Sequence, residues 1–495
     1  MHLSALIKKT DMLQDWEKSQ LDQIEITGIT SDSREVKSGY IFAALSGVNS
    51  NGVDFIPDAI KNGAAVVVAP MGTTLPQDIS KDQKVILLET TKPRQKFAQL
   101  AAAYHHGQPD YIAAITGSNG KTSTAQFARQ IWQDLGFTAA SLGTIGIQAP
   151  GLEKLGSLTT PDPVTLHSEI SELAAADVSH LAMEASSHGL DQHRLDGLKI
   201  KAAGFTNLSR DHLDYHETME GYLAAKSRLF TDVLHKDGTA VLNADIPEFS
   251  FLEKICENRG HKLIRYGFKG EEIRILNRAI LPDGQMVELQ VFGETYAINL
   301  PLVGEFQLYN TLCALGLVLA EFPKSARKQI QAMHLLEGLE GVRGRLEFVG
   351  SHPNGAAIYV DYAHTPDALE NVLKALRPHT KGKLHVLIGC GGDRDRGKRP
   401  MMGSIAKELA DFVIVTDDNP RTEDPAQIRA EIMTACPDAE EFNDRRRAIC
   451  SAVKTLKPYD LLVVTGKGHE QGQIIGQEVI PFDDATEIRT ALAEI

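Results

Sequence analysis

The sequence predicts an α/β protein of three domains: a small N-terminal α/β domain, a central P-loop-like α/β domain and a C-terminal Rossmann-like α/β domain. Three observations predict it. The chain, at 495 residues, exceeds what one hydrophobic core usually serves. Short apolar runs alternate with stretches of helical spacing, the pattern of largely parallel sheets under helices. In the middle and last thirds many of these runs lead into a polar loop, and ligands of open α/β sheets bind beyond the carboxyl ends of strands.

The elements follow in order. From Ile24 to about Gln108, apolar runs at 41–45, 64–69 and 85–88 flank a helical stretch at 54–62, a small α/β unit. Polar residues 105–109 read as a linker, so the first domain is taken as 1–107. Tyr111 to Ile115 is a strand, residues 116–121 a glycine-bearing turn, and Thr122 to Leu135 a helix with Phe127, Ile131 and Leu135 on one face. Runs at 181–183, 202–205 and 240–242 continue a mostly parallel sheet to a boundary near Gly341, giving 108–341 as the second domain. Runs at 357–360, 385–388, 412–415 and 461–464 make 342–495 a doubly wound third domain.

With 42% hydrophobic and 23% charged residues the chain is expected to fold throughout. A formal charge of −14 argues against nucleic-acid binding by bulk electrostatics, so a polyanionic ligand needs local Lys, Arg and backbone N–H groups. Five scattered cysteines without a C-x-x-C pair suit a reducing compartment and disfavour a thiolate metal site. No run approaches the ~20 apolar residues that span a bilayer, and MHLSALIKKT is too short for a signal peptide, so the cytoplasm is expected.

The stretch ITGSNGKTST (115–124) departs from the P-loop consensus, which would put glycine where Ile115 stands. Its chemistry still suits phosphate: glycines let N–H groups converge, Lys121 supplies charge, and Thr122 offers a hydroxyl to Mg²⁺ at a helix N-terminus. Glu184, after the next apolar run, either helps hold that cation or caps a helix. His212 and His216, spaced H-x-x-x-H between Asp211 and Asp214, admit a zinc pair, a single imidazole on Mg²⁺ or Mn²⁺, or a cap; the oxygen-rich loop without cysteine favours the latter two. By composition Lys226 is a surface lysine.

Four polar loops, DYAHTPD, GCGGDRDRGKRPMM, TDDNPR and GKGHE, follow the strands of the last third. Arg394 replaces the third glycine of a dinucleotide fingerprint, which argues against an NAD pocket. The guanidinium forks of Arg394 and Arg421 suit a carboxylate, and Asp417, Asp418 and Glu470 suit an ammonium, together fitting an amino acid. Against this stands mutual pairing of the same charges.

These motifs, with SDSR (31–34), TTPDP (159–163), EASSHGLDQHR (184–194), NLSRDHLDYH (207–216) and GRLE (344–347), span essentially the whole chain and resemble the Mur ligase family, most closely its diaminopimelate-adding branch. The resemblance implies an ATP-driven amide ligase that phosphorylates the glutamyl carboxylate of UDP-N-acetylmuramoyl-L-alanyl-D-glutamate. The amine of meso-2,6-diaminopimelate then attacks the acyl phosphate, in peptidoglycan precursor synthesis, with ATP and Mg²⁺ required and a monomer expected. It further implies that Gly117, Ser118, Asn119, Gly120, Lys121, Thr122 and Ser123 cradle ATP, with Asn310, Arg345 and Asp361 on adenine, ribose and phosphate. Thr122, Glu184, His212 and Lys226, the last as a carbamate, would hold magnesium, with Lys121, Lys226 and His212 the catalytic set. Ser31, Ser33, Gly47, Val48 and Asn49 would contact the uridine nucleotide, and Thr159, Thr160, Ser186, Gln192 and Arg194 the muramoyl dipeptide. Arg394, Asp418, Asn419, Pro420, Arg421, Gly466 and Glu470 would bind diaminopimelate. Gln307 departs from the family's usual asparagine, and Leu158 replaces a common polar residue, so neither is assigned a ligand contact. The rivals are a lysine-adding or folylpolyglutamate-synthase-like sibling and an ATP-hydrolysing binding protein.

Overall fold

A computed structural model describes residues 1–9, 21–47, 50–76, 85–156, 158–323 and 325–495. The chain divides into two compact units, one of residues 1–264 with 316–321, the other of residues 265–315 with 322–495. Both are α/β.

The first unit contains two parallel arrays. In the smaller, strands Gly28–Thr30, Tyr40–Ala43, Ala64–Pro70 and Ile86–Thr90 pair in sequence order, all parallel. The helix expected at 54–62 begins as a 3₁₀ turn, Gly52–Phe55, and continues as Ile56–Lys61. In the larger array Tyr111–Thr116 lies between the parallel strands Ile200–Phe205 and His180–Glu184; Leu234–Asn243 and Ala139–Gly143 flank these. Tyr111–Thr116 is buried along its length, as a central strand covered on both faces must be. Helix Pro163–Ala175 starts where the sequence says a helix should: Asp162 accepts the N–H groups of Val164 and Thr165, and Pro163 occupies the first turn, where its missing N–H costs nothing.

The second unit carries Glu347–Ser351, Ala357–Asp361, Leu461–Thr465, Leu384–Ile388, Phe412–Val415 and Glu440–Glu441, in that spatial order. All pairings but the first are parallel, so all four polar loops leave one edge, as expected for a doubly wound sheet. Alternate residues of one strand feed opposite cores: Leu461 and Val463 pack on one face, Leu462 and Val464 on the other. An antiparallel meander, Ile273–Leu281, Gly284–Val291 and Glu294–Leu300, was not among the expected elements. All five cysteines are free, and among the described residues no helix is long and apolar enough to cross a membrane.

Candidate active site

In the first unit the chain leaves Thr116 through Gly117 and Gly120, at φ 144° and 85°. A Cβ on Gly117 would sit 2.0 Å from Thr206 Oγ1, so this turn requires glycine. The neighbouring loop braces it: Ser118 N donates to Asn207 O at 2.9 Å, Asn119 N to Asn207 Oδ1 at 3.0 Å, and Thr206 Oγ1 to Asn119 O at 2.6 Å. Helix Lys121–Asp134 follows with no side-chain cap and no acidic residue in its first turn. That leaves a positive helix end for an anion. Lys121 Nζ donates to Gly117 O and Ser118 O, each at 2.8 Å, closing over the loop.

Lys226 corrects the surface-lysine expectation. It lies on helix Met219–Arg228 and is 1% exposed, with Nζ donating to the same Gly117 O at 2.8 Å and sitting 4.3 Å from the Tyr222 ring centroid. Burial, and then the Lys121 charge, push its pKa well below the usual lysine range, with Asp211 opposing. A neutral amine is thereby favoured.

Glu184 ends its strand fully buried, accepting Thr144 N at 2.8 Å and Thr144 Oγ1 at 3.2 Å. It does not cap the next helix; Ser186 does, accepting from Gly189 N at 3.0 Å. A Cβ at Gly143 would meet Glu184 Oε1 at 2.1 Å. Among the described residues no Lys, Arg or His forms an ion pair with Glu184, and a buried carboxylate held by neutral donors alone suits a cation. Thr122, Glu184 and His212 offer hydroxyl, carboxylate and imidazole, a set compatible with a hard divalent ion. His212 takes φ 52° at the head of the short helix Leu213–His216, 47% exposed, 3.4 Å from Asp211 Oδ2. Among the described residues no three His, Cys, Asp or Glu side chains converge on one cation position, which gives the zinc reading of His212 and His216 no support.

Beside Glu184 the dipeptide candidates form one network. Thr160 Oγ1 donates to Glu184 O at 2.9 Å and accepts Ser186 N at 3.0 Å; Thr159 meets Thr144 hydroxyl to hydroxyl at 3.0 Å. Arg194 donates to Thr160 O and, through Nη2, to Gln192 Oε1 at 2.8 Å. Ser31, Ser33 and Gly47 stand instead at the carboxyl edge of the small sheet, where Ser33 O accepts Asn62 Nδ2 at 2.9 Å and Gly47 N donates to Ser50 O at 2.8 Å. Helix Pro93–His105 reaches towards both places: Arg94 donates to Ser46 O, and Gln95 to Asp196 Oδ1 at 2.8 Å. Val48 and Asn49 lie outside the described residues.

In the second unit Asp361 ends its strand accepting Leu346 N at 2.7 Å and Ala363 N at 2.8 Å; burial pushes its pKa up against Arg345 and these two donors. The Arg345 guanidinium lies 5.0 Å over the Tyr362 ring, and among the described residues its buried Nε has no hydrogen-bond partner. Gln307 connects this group, donating to Arg345 O and accepting Asn310 Nδ2, both at 3.0 Å. Gln307 thus bridges Asn310 to Arg345 through hydrogen bonds.

Six arginines of this unit separate into two kinds. Arg396 and Arg399 bind Glu423 at 2.6 and 2.9 Å, Arg429 binds Asp417, and Arg445 binds Asp484 at 2.7 Å. Among the described residues the side chains of Arg394 and Arg421 donate only to backbone, Asp393 O at 3.1 Å and Gly392 O at 2.8 Å. Among the described residues neither has a carboxylate partner, so both remain open to one. Arg429 engages Asp417, and Lys467 takes one oxygen of Glu470, Oε2 at 3.1 Å, so Asp418 and the other oxygen of Glu470 are the candidate ammonium partners that remain. Arg421 sits at φ 51°, clasped by a hairpin: its N donates to Ile474 O at 3.1 Å and its O accepts Gly476 N at 2.7 Å. Gly466 is required beside Asp418, since a Cβ there would lie 2.3 Å from Asp418 Oδ2, and a Cβ on Gly392 would strike Pro420 O at 1.9 Å. Asn419 Nδ2 donates to Glu470 Oε2 at 2.8 Å. Two residues here escaped the sequence reading. Lys467 stands inside GKGHE unremarked, and Arg445 is hidden in a run of three arginines; its spacing to Ala448, Ile449 and Ala452 on one helix face is the signal that finds it.

Three family models match the chain: Mur ligase family, catalytic domain, over residues 25–105; Mur ligase middle domain over 115–318; and Mur ligase, glutamate ligase domain, over 344–468. A UDP-N-acetylmuramoyl-L-alanyl-D-glutamate–2,6-diaminopimelate ligase of Brucella melitensis is 48% identical over 487 residues, 98% of either chain. One of the same name from Zymomonas mobilis is 50% identical over 94% of this chain and 95% of its own. A solved structure of a ligase so named superposes with a TM-score of 0.72 at 32% identity, covering 100% of this chain and 99% of the other. A folylpolyglutamate synthase of Mycobacterium tuberculosis, at 22% identity and TM-score 0.60 over 75% of this chain, shares the fold.

Proposed function

This chain belongs to the Mur ligase family, and on that premise we propose that it joins 2,6-diaminopimelate to UDP-N-acetylmuramoyl-L-alanyl-D-glutamate, driven by ATP, in peptidoglycan precursor synthesis. The observation that supports this most is the pair of guanidiniums, Arg394 and Arg421, without carboxylate partners among the described residues, on the sheet edge that carries Asp418 and Glu470. A zwitterion with a second carboxylate matches that charge pattern. In this reading residues 1–107 bind the UDP-sugar, 108–341 ATP, and 342–495 the amino acid, in a cytoplasmic monomer.

The glycine turn and the open helix end bind the polyphosphate, whose oxygens replace Gly117 O and Ser118 O as partners of Lys121. A glutamyl carboxylate oxygen bonds to the γ-phosphorus as the bond to the β-phosphate oxygen breaks, giving acyl phosphate and ADP. Lys121 follows the transferring charge. The amine of diaminopimelate then attacks the acyl carbon, inorganic phosphate leaves with the C–O electrons, and the nitrogen gives up a proton. Asn310, Arg345 and Asp361 bind the nucleoside and phosphate, and the network of Thr159, Thr160, Ser186, Gln192 and Arg194 holds the dipeptide. Magnesium, when bound, supplies charge neutralisation at the phosphates; Thr122, Glu184, His212 and the carbamate of Lys226 would hold it. That carbamate forms when the neutral Lys226 nitrogen adds to carbon dioxide and loses a proton.

Incubation with ATP, Mg²⁺, the UDP-muramoyl dipeptide and a panel of diamino acids tests the reading. Product of the mass expected for one amide bond should appear with diaminopimelate; phosphate release indifferent to any diamino acid would sink it. Arg421→Ala should raise KM for diaminopimelate roughly 10- to 100-fold, the range for a lost hydrogen bond to charge, and leave any slow lysine turnover little changed. Removing dissolved carbon dioxide should lower turnover about tenfold or more, and bicarbonate should restore it, whereas Lys226→Ala should respond to neither. Turnover unaffected by carbon dioxide removal would exclude the carbamate.

A further inference from the structure

We propose that Lys467 is the positioning residue of the amino-acid pocket, orienting Glu470 and Asn419 and setting the pocket's charge without touching substrate; this rests on the diaminopimelate reading above. Lys467 is 0% exposed on the loop after strand Leu461–Thr465. Its neighbours Gly466 and Gly468 hold φ 109° and 53°, and a Cβ on Gly468 would press to 2.7 Å of Tyr362. This double left-handed turn sends the lysine inward.

Its ammonium has three donors and all three are engaged: Asn419 Oδ1 at 3.0 Å, Glu470 Oε2 at 3.1 Å and Gly472 O at 2.6 Å. Asn419 Oδ1 also accepts Ile474 N at 3.0 Å, so the amide is held with Nδ2 towards Glu470. Glu470 Oε2, receiving Asn419 Nδ2 and Lys467 Nζ, is saturated, which leaves Oε1 for a ligand ammonium. The charges agree. Asp418 and Glu470 sum to minus two; Lys467 reduces this to minus one, the complement of a single ammonium.

The same ammonium joins three pieces of chain: the loop carrying Asn419, its own loop, and the start of the hairpin formed by Gly472–Ile475 and Glu478–Pro481. That hairpin clasps the backbone of Arg421 at N and O. One buried cation therefore sets both poles of the pocket, the carboxylate directly and the guanidinium through the hairpin.

Lys467→Met keeps an unbranched chain as far as Cε and removes the ammonium. We expect KM for diaminopimelate to rise roughly 10- to 100-fold, with KM for ATP and for the UDP-dipeptide changing less than about threefold. In a cycle with Glu470→Gln, the double variant should be much less impaired than the product of the single effects, because the lysine acts through that carboxylate. Multiplying effects, or an equal rise in all three KM values, would reduce Lys467 to a structural residue and overturn the proposal. Lys467→Gln, which retains a donor, serves if the methionine variant does not fold, with the same outcomes. If Glu470→Gln alone leaves KM for diaminopimelate unchanged, the pocket assignment itself falls, and this inference with it.

Discussion

Replacing Lys121 with alanine is expected to lower kcat/KM by about three orders of magnitude, roughly 4 kcal/mol of transition-state stabilisation. The loop itself should survive without the two bonds from Lys121 Nζ, because the positive φ angles of Gly117 and Gly120 and the contacts to Asn207 and Thr206 are made without the lysine side chain. Nucleotide should therefore still bind, and the loss should fall mainly on kcat. Lys121→Arg should restore little: the ammonium now fits between two carbonyls 2.8 Å away, and a planar fork cannot occupy the same point. The variant should show a second effect. Lys121 is the next cause after burial of the low Lys226 pKa, so its removal lets Lys226 hold a proton more readily and lowers the neutral amine available to carbon dioxide. Added bicarbonate should then rescue a small part of the rate. Product formation followed by mass, with nucleotide binding by calorimetry, decides the matter; a variant keeping a tenth of the wild-type rate would remove Lys121 from the chemistry.

Arg445→Met should destabilise the second unit by about 3–5 kcal/mol, the cost of stranding a buried charge. Arg445 and Asp484 are both 0% exposed and bind bidentately, Nε to Oδ1 and Nη2 to Oδ2, each at 2.7 Å. Removing the guanidinium leaves the Asp484 carboxylate without its cation. The denaturant midpoint should fall with little change in slope. Arg445→Met with Asp484→Leu should recover much of the loss, since replacing both members of a buried pair by apolar groups is often nearly neutral. The recovery should be incomplete in function: Arg445 Nη2 also donates to Thr465 O at 2.8 Å, immediately before Gly466, so KM for diaminopimelate should stay raised in the double variant. A single variant as stable as wild type would show that the pair contributes nothing.

Much of the site proposed for phosphate is legible in the sequence because it is local. Strand, glycine turn, Lys121 and helix are contiguous, and glycine and N-cap preferences operate over a few residues. The same holds for the four loops of the last third, each announced by the apolar strand before it, and for helices opened by Asp162 or Asp424. The burial of Lys226 was illegible from composition and spacing for the opposite reason. Its helix has ordinary composition, and its partner, Gly117 O, is 109 residues away in the chain. Nor could the sequence sort its arginines: Arg394, Arg396 and Arg399 share one loop and helix, yet only contact with Glu423, some two dozen residues on, consumes the second and third.

By itself the sequence determined the α/β class, the glycine turn before Lys121 and the side chains available for chemistry, since strand burial, caps and glycine turns depend on near neighbours. The tertiary structure alone decided which charges are spent and which are free, which lysines are buried, and that Gln307 bridges Asn310 to Arg345. A charge is neutralised, or an amine dehydrated, by whatever the fold brings within about 3 Å, and distance along the chain does not report that.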